Sequence, residues 1–176
     1  MSEHIVLIAN ADRRWAIGKE NRLLYKVPED MRHFREITTG NTVIYGRKTL
    51  DSFPGGNPLR DRLNIVISRS LPQEGTEGLL VARSPKEALL LAEESEKSER
   101  KDRTIYICGG ESIYRQMLPF CDTAVITRVD AETPDADAFF PDLDRTDGWK
   151  ISARTDLRTS VTGWKYRYVT YRRTGQ

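Results

Sequence analysis

The stretch VPEDMRHFREI, residues 27–37, places one acid, Asp30, among apolar residues with helical spacing. The apolar positions are Val27, Met31, Phe34 and Ile37. Their spacing predicts an amphipathic helix that begins at Pro28. An acid in the first turn of a helix is usually explained by the positive end of the helix dipole. The alternative is a carboxylate in a partly apolar pocket, where desolvation raises its pKa and suits it to a functional site.

Three basic residues follow predicted strands, a pattern that suits an anion-binding site. Arg47 and Lys48 come directly after TVIYG and open a short helix, and Arg69 follows LNIVIS. Helix N-termini attract phosphate, and cations beside them strengthen such a site. If the two strands are neighbours, the three cations converge on one patch. Taken singly, each residue could equally be a solvated surface charge.

A glycine pair, Gly109 and Gly110, separates the predicted strand TIYIC from the predicted helix ESIYRQML. Paired glycines let the backbone approach a ligand closely and leave helix N–H groups free to bind phosphate. The same pair is also common in tight turns. Because the pattern is not GxGxxG, an ordinary Rossmann dinucleotide site is not indicated.

The composition excludes several classes of function. The 176 residues are 38% hydrophobic and 31% charged, and 28 basic against 26 acidic residues give a formal net charge of +2. That balance is unlike a general nucleic-acid-binding protein. Cys108 and Cys121 lack the spacing of a metal site or a disulfide framework, and no segment is typical of a secretory signal or a membrane span. We expect one cytoplasmic domain over residues 1–176, with no metal, nucleic-acid or membrane binding.

Strands and helices alternate along most of the chain. The predicted strands are residues 4–11, 42–46, 63–68, 79–83, 104–108 and 123–132. The predicted helices begin at Pro28, Arg47, Pro85 and Glu111. Ser84 and Glu87 form a predicted capping box at the third helix. Two alternating segments, WKISART and WKYRYVTYRR, end the chain and are joined through a turn at Thr162 and Gly163.

This order predicts an α/β fold with a mostly parallel sheet, helices on both faces and an antiparallel C-terminal hairpin. Ligands in such sheets bind beyond the carboxyl ends of the strands, which is where the candidate residues lie. Residues 12–26 have no clean period and predict a long loop of the kind that often serves as a functional lid.

Several short pieces in the same order make the sequence resemble the dihydrofolate reductases over nearly its whole length. They are LIAN (7–10), AIG (16–18), VPEDMRHF (27–34), GRKT (46–49), RLNIVIS (62–68), CGGESIY (108–114), ITRVDAE (126–132) and DAFFPD (137–142). The resemblance implies an eight-stranded mixed sheet with about four flanking helices. It also implies hydride transfer from NADPH to the pterin ring of 7,8-dihydrofolate, with protonation of N5, in a protein that we expect to be a monomer.

The resemblance assigns roles to individual residues. The predicted catalytic residues are Asp30, Thr127 and Tyr114. The predicted substrate-binding residues are Ile8, Asp30, Met31, Phe34, Phe53, Leu59, Arg62, Cys108 and Thr127. The predicted cofactor-binding residues are Asn10, Ile17, Gly18, Gly46, Arg47, Lys48, Thr49, Ser68, Arg69, Cys108, Gly109, Gly110, Glu111, Ser112, Ile113 and Tyr114. Asp30 would be the single active-site carboxylate and would accept hydrogen bonds from the pterin. The resemblance also favours protonation of N5 through a water.

The resemblance also predicts a mobile lid over residues 12–26 and a cis peptide between Gly109 and Gly110. Some positions depart from the family pattern, namely Asn10, Leu24, Tyr25, Leu50 and Cys108. Two other functions remain open. One is a reductase of the same fold that acts on a ribosylated pyrimidine in riboflavin synthesis, and the other is a non-catalytic nucleotide-binding module. The acid within VPEDMRHF argues against the first, and the intact acid, glycine pair and basic residues argue against the second.

Overall fold

A mixed sheet with one antiparallel strand forms the framework of the protein in the computed structural model, which describes residues 4–175. The strands of this part are β1 (Ile5–Ala11), β2 (Ala16–Lys19), β3 (Arg22–Leu23), β4 (Thr42–Gly46), β5 (Leu63–Ile67), β6 (Leu79–Ala82), β7 (Ile105–Ile107), β8 (Thr123–Val129), β9 (Ala138–Phe139), β10 (Trp149–Arg154), β11 (Arg158–Thr159) and β12 (Lys165–Arg173). The helices are α1 (Pro28–Thr38), α2 (Arg47–Ser52), α3 (Pro85–Glu99) and α4 (Glu111–Met117), with short 3-10 helices at Pro54–Gly56 and Leu118–Phe120.

The main sheet has the strand order β10-β12-β8-β1-β7-β4-β5-β6, and the two-residue β11 pairs with β12. The strands from β8 to β6 along this path are parallel, whereas β12 runs antiparallel to both β8 and β10. The predicted α/β class, the path of eight strands and the antiparallel C-terminal hairpin are confirmed. β11 is a short ninth strand that the sequence did not indicate.

Alternate residues of β4 enter two hydrophobic clusters. Ile44 packs in one cluster with Ala88 of α3 and Met117 of α4, and Tyr45 packs in the other with Leu50 of α2. Because successive side chains of a strand point to opposite faces, α2 and the α3–α4 pair cover opposite faces of the sheet. The prediction of helices on both faces is therefore confirmed.

The predicted ends of the elements agree with the structure to within one residue in most cases. The clearest exception is β8, which was expected to run to residue 132 and ends at Val129. The capping box is only half formed. Ser84 Oγ accepts the N–H of Glu87 at 3.2 Å, but the Glu87 carboxylate accepts the N–H of Arg83 instead of the N–H of Ser84.

The prediction of a long loop over residues 12–26 is wrong, because this segment contains β2 and β3. These two strands form a second small sheet with β9, in the order β3-β2-β9. Glu20 and Asn21 connect β2 to β3 with φ angles of 49° and 61°. Positive φ at both positions is typical of the two-residue hairpin turns whose twist matches that of the strands.

Within residues 4–175, no helix is both long and apolar enough to cross a bilayer.

Candidate active site

The carboxyl ends of the parallel strands bring the predicted residues to one edge of the sheet. In register, Asn10 of β1 lies opposite Thr127 of β8, and Gly46 of β4 lies opposite Ile67 of β5. β7 lies between β1 and β4 and leads directly to Cys108 and the glycine pair. This edge is where ligands bind in open α/β sheets.

Asp30 lies in the first turn of α1 and contacts the neighbouring strands β1 and β8. Its Oδ1 accepts a hydrogen bond from Thr127 Oγ1 at 2.5 Å, and its Oδ2 accepts one from Asn10 Nδ2 at 3.0 Å. The predicted bond from Thr127 is confirmed. The side chain of Asn10, one of the departures from the family pattern, thus binds the carboxylate directly.

The environment of Asp30 raises the pKa of its carboxyl group above the ordinary value. Burial is the largest cause, and the hydrogen bonds from Thr127 and Asn10 oppose it because they stabilise the charged form. An acid that only complements the helix dipole needs neither burial nor two side-chain donors, and Asp30 has both. This geometry therefore favours the functional interpretation of Asp30 over the dipole interpretation.

Tyr114 of α4 is buried beside the glycine pair. Its hydroxyl donates to the backbone carbonyl of Ile8 at 2.6 Å, and burial raises its pKa well above the ordinary value. A Cβ on Gly109 would lie 3.3 Å from the Tyr114 ring, and Gly109 has a φ of 114°. Any larger residue at position 109 would be strained and crowded, which explains why the first residue of the pair is a glycine. The predicted cis peptide between Gly109 and Gly110 is present.

The loop before α4 packs closely against the end of β4. A Cβ on Gly46 would lie 3.0 Å from Ile113 Cγ1, and the N–H of Gly46 donates to the carbonyl of Gly109 at 2.9 Å. A Cβ on Gly110 would lie 3.8 Å from Thr49 Oγ1 of α2. The structure thus brings together predicted cofactor residues from two separate motifs.

The three basic residues lie at neighbouring strand ends, as predicted from the assumption that β4 and β5 pair. Arg47, Lys48 and Arg69 are exposed, and Arg47 Nε donates to Asp51 at 3.1 Å within α2. An exposed pair of this kind is worth about 1 kcal/mol or less, so it leaves Arg47 able to bind an anion. Beside them, Ser68 is buried and accepts the backbone N–H of Ser70 at 3.2 Å.

Arg62 is half-buried and anchored to the end of α1. Its Nη1 donates to Thr38 Oγ1 at 3.1 Å and its Nε donates to the carbonyl of Arg60 at 2.8 Å. Within residues 4–175, no ion pair joins Arg62 to the neighbouring Asp61. Within residues 4–175, Nη2 has no protein partner and is free to bind a ligand.

Comparison with known proteins identifies the family to which these features belong. The family model described as dihydrofolate reductase matches residues 4–173. The chain belongs to the dihydrofolate reductase family. The dihydrofolate reductase of Neisseria meningitidis serogroup B is 40% identical over 169 residues, which cover 96% of this chain and 98% of that protein. The Mycobacterium tuberculosis enzyme is 35% identical over 160 residues, which cover 89% and 90% of the two chains.

A solved dihydrofolate reductase of Enterococcus faecalis, complexed with NADP(H) and RAB-propyl, has the same fold. It superimposes with a TM-score of 0.82 at 30% identity, over 99% of each chain. The family resemblance drawn from the short motifs is therefore confirmed, and family membership makes the protein an oxidoreductase.

One residue of the apolar stripe predicted for α1 is exposed instead of buried. Met31 is 55% exposed, so the expectation of a buried apolar stripe is wrong at this position. The reason is that the first turn of α1 rests on the sheet through Asp30 and the buried Val27, which turns Met31 outward. Phe34 is half-buried, as is Phe53, which packs edge-on against Tyr45 with centroids 4.9 Å apart.

A cysteine beside the glycine pair, Cys108, could be either an oxidant-sensitive thiol or a buried structural one. Its Sγ donates to the carbonyl of Tyr106 at 3.5 Å, and burial raises its pKa far above the ordinary value. A thiol in this state has little thiolate, so the structural interpretation is favoured.

The remaining predicted cofactor residues lie on β2 of the second small sheet and on α4. Ile17 packs against the main core, and the carbonyl of Gly18 accepts the N–H of Asp137 at 3.1 Å. Glu111 Oε1 accepts the N–H of Phe139 in β9 at 2.6 Å. Ser112 Oγ accepts Gln116 Nε2 at 2.7 Å and makes no such link.

Sequence reasoning missed Asn64, which holds the loop that carries Leu59 and Arg62. Its side chain is buried in β5, accepts the N–H of Leu59 at 2.9 Å and donates to the carbonyls of Leu59 and Arg62 at 2.7 and 3.0 Å. Tyr45 also donates to Asn64 Oδ1 at 2.7 Å. The signal was available, because an asparagine inside the apolar run LNIVIS needs internal hydrogen-bond partners.

Sequence reasoning also missed Asp12, which fixes both ends of the segment 12–26. This buried carboxylate accepts the N–H groups of Arg14 and Ala16 at 2.8 and 2.9 Å, the N–H of Thr133 at 3.0 Å and the Tyr25 hydroxyl at 3.1 Å. Tyr25, one of the departures from the family pattern, is thereby engaged with Asp12 and also contacts Thr133 Oγ1 at 2.6 Å.

A third missed residue, Glu29, joins α1 to the C-terminal hairpin. Its carboxylate accepts Ser160 Oγ at 2.6 Å and the N–H of Val161 at 2.9 Å, and the Ser160 bond is the main reason that its pKa is lowered. Thr162 Oγ1 donates to the carbonyl of Lys26 at 2.6 Å. The predicted turn at Thr162 and Gly163 therefore also orients the helix turn that carries the candidate catalytic acid.

Proposed function

We propose that the protein catalyses the NADPH-dependent reduction of 7,8-dihydrofolate to 5,6,7,8-tetrahydrofolate. The observation that carries this proposal is the position of Asp30, a desolvated carboxylate held by Asn10 and Thr127 at the carboxyl ends of β1 and β8. A carboxylate whose two oxygens are each held in place suits the N3 and 2-amino donors of a pterin, which present two parallel N–H groups.

Asp30 binds and polarises the pterin, and the proton for N5 comes from a water. Within residues 4–175, its hydrogen-bond partners are the amide of Asn10 and the hydroxyl of Thr127, and neither is an acid suited to proton donation. Burial raises the pKa of Asp30 because it destabilises the charged carboxylate, and hydrogen bonds donated by a bound pterin would stabilise that charged form.

The residues at the ends of β4, β5 and β7 fit NADPH, which supplies the hydride when bound. A Cβ on Gly46 or Gly109 would meet Ile113 or Tyr114, so glycine at both positions lets the loop before α4 pack closely against the end of β4. Arg47, Lys48 and Arg69 suit the ribose 2′-phosphate, because guanidinium and ammonium groups bind phosphate oxygens strongly.

The tail of the substrate is held at the other end of α1. Arg62 offers a planar fork to the α-carboxylate of the glutamate, while Leu59 and Phe53 line the path of the aminobenzoyl linker. The bonds from Arg62 to Thr38 and Arg60 restrict the guanidinium before ligand arrives, which lowers the entropic cost of binding.

We also propose that the chain acts as a monomeric single domain in the cytoplasm. Cys108 and Cys121 are free thiols, which is usual where thiols are kept reduced. Light scattering of the purified protein measures its mass, and a mass of two chains would contradict the monomer.

A substrate comparison tests the proposed reaction against its rivals. Purified protein is mixed with NADPH and either dihydrofolate or the ribosylated aminopyrimidine reduced in riboflavin synthesis, and loss of NADPH absorbance is followed. We expect NADPH oxidation with dihydrofolate and none with the pyrimidine. Turnover with the pyrimidine alone would establish the second reductase, and NADPH binding without turnover of either compound would establish the nucleotide-binding module.

A further inference from the structure

A groove on the sheet surface away from Asp30 contains an unusual pair of like charges. Arg128 of β8 and Arg167 of β12 are direct partners in the antiparallel register. Their side chains therefore lie on one face, next to each other, where like charges destabilise a sheet. Thr127 and its partner Tyr168 point to the opposite face, on which Asp30 lies.

Only one member of this pair is neutralised by the protein. Arg128 Nη1 donates to Asp144 at 3.1 Å and to the Tyr171 hydroxyl at 3.0 Å, and its guanidinium lies 3.9 Å from the centre of the Trp15 ring. Arg167 has no ion pair or side-chain hydrogen bond within the part of the chain that the structure describes.

The groove has a volume of about 350 Å³, which is within the range of small-molecule sites. Arg13 and Arg154 also line it, so that four arginines face two aspartates, Asp130 and Asp144. Arg13 is paired with Asp130 at 2.9 Å, whereas Arg154, like Arg167, lacks an ion pair among residues 4–175. The groove therefore carries two uncompensated positive charges.

Apolar side chains form the rest of the lining. Ile151 and Leu157 are 47% and 41% exposed, and Val169 of β12, the register partner of Arg154, also lines the groove. Exposed apolar groups beside unpaired cations suit a ligand that has both an anionic group and an apolar body. A guanidinium fork matches the geometry of a carboxylate.

We propose that this groove, which we call the arginine groove, binds a small organic carboxylate with an apolar body. The carboxylate lies against Arg167 and Arg154, and the apolar body lies against Ile151 and Leu157. Binding places a negative charge beside Arg167 and Arg154, the two arginines of the groove that have no ion pair among residues 4–175. The site is independent of the proposed reductase reaction, because the sheet separates it from Asp30.

Fluorescence titration with 2-naphthoate tests the proposal, with NADP⁺ and folate present at saturation to fill the opposite face. We expect saturable binding to the intact protein. Acetate and the neutral 2-naphthylmethanol serve as probes for the charge alone and the apolar body alone, and both should bind at least about tenfold more weakly.

Arg167→Gln and Arg154→Gln should each weaken 2-naphthoate roughly tenfold or more, since each loses a hydrogen bond between charged groups. Arg172→Gln is the matched control, because Arg172 is an exposed arginine of β12 on the other face and should leave binding unchanged. Arg154 is an exposed edge residue, so that this variant remains informative if Arg167→Gln folds poorly.

Three results would overturn the proposal. They are no saturable binding up to about 10 mM, equal affinity in the two groove variants and the intact protein, and binding that occurs only when NADP⁺ and folate are left out.

Discussion

Asn10 donates its side-chain amide to Asp30 Oδ2 across 3.0 Å, from a position where the family pattern usually has alanine. The bond joins the end of β1 to the first turn of α1 and leaves Asp30 with a donor on each oxygen. Because such donors favour the charged carboxylate, Asn10 opposes the effect of burial on the Asp30 pKa.

Asn10→Ala should therefore raise the pKa of Asp30 further. The limb of the pH–rate profile that reports Asp30 should move to higher pH, because the charged form loses a hydrogen bond. The pH dependence of kcat/KM for the variant and the intact protein measures this shift. Asn57→Ala, at an exposed asparagine, is the control, and a shift of equal size in both variants would contradict the assignment.

Asp30 should also make stability depend on pH. Its folded pKa is raised, so between the unfolded and folded values the native state holds a proton that the unfolded state has lost. Stability must then fall as pH rises through this window, by linkage. Asp30→Asn should remove this slope and raise the Tm at neutral pH, with little effect below the unfolded pKa of about 3.9.

Thermal unfolding at a series of pH values provides the measurement, and Asp156→Asn, at an exposed aspartate, is its control. A Tm difference between Asp30→Asn and the intact protein that is independent of pH would mean that the carboxylate is not desolvated.

Much of the fold could be predicted because apolar runs and helix-start residues act locally. TVIYG, for example, became β4 with its predicted bounds, and Pro28 began α1. The small sheet of β2, β3 and β9 could not be predicted in this way. Its strands have two to four residues, and β9 pairs with a strand more than 100 positions away in the chain.

Site residues could be predicted from the sequence when a residue is chemically unusual for its segment, as Asp30 is within an apolar pattern. The residues that hold it were missed, because their hydrogen bonds depend on tertiary structure. Glu29 and Ser160 are 131 positions apart, and neither is unusual in its own segment. The role of Arg62 was predicted from the resemblance, but its anchor on Thr38 was visible only in the fold.

Arg47→Ala should weaken NADPH binding by roughly ten- to a hundredfold, through loss of a hydrogen bond between charged groups worth about 1.5–3 kcal/mol. NADH, which lacks the 2′-phosphate, should bind nearly as before. Calorimetric titration with each cofactor gives the two affinities. Lys97→Ala removes a residue from a comparable exposed pair, with Glu93 in α3, and should change neither. Equal losses for NADPH and NADH in Arg47→Ala would mean that Arg47 supports structure.

Arg62→Ala should raise the KM for dihydrofolate strongly and change the turnover of bound substrate less, because a tail contact is similar in the ground and transition states. Steady-state kinetics with dihydrofolate and with a dihydropterin that lacks the glutamate tail make the comparison. Arg60→Ala, at the exposed neighbour, is the control. If Arg62→Ala reduced kcat/KM as much for the truncated substrate as for dihydrofolate, Arg62 would instead hold the loop near Thr38 and Asn64 in shape.

The central claim, that Asp30 is the catalytic carboxylate of a dihydrofolate reductase, is tested by one comparison. The rate of dihydrofolate-dependent NADPH oxidation is measured for the intact protein and for Asp30→Asn at neutral and at low pH. We predict turnover by the intact protein, a loss of about 10²–10⁴-fold in the variant at neutral pH, and partial recovery at low pH, where the substrate arrives protonated. No turnover by the intact protein, or near-normal turnover by Asp30→Asn at neutral pH, would contradict the claim.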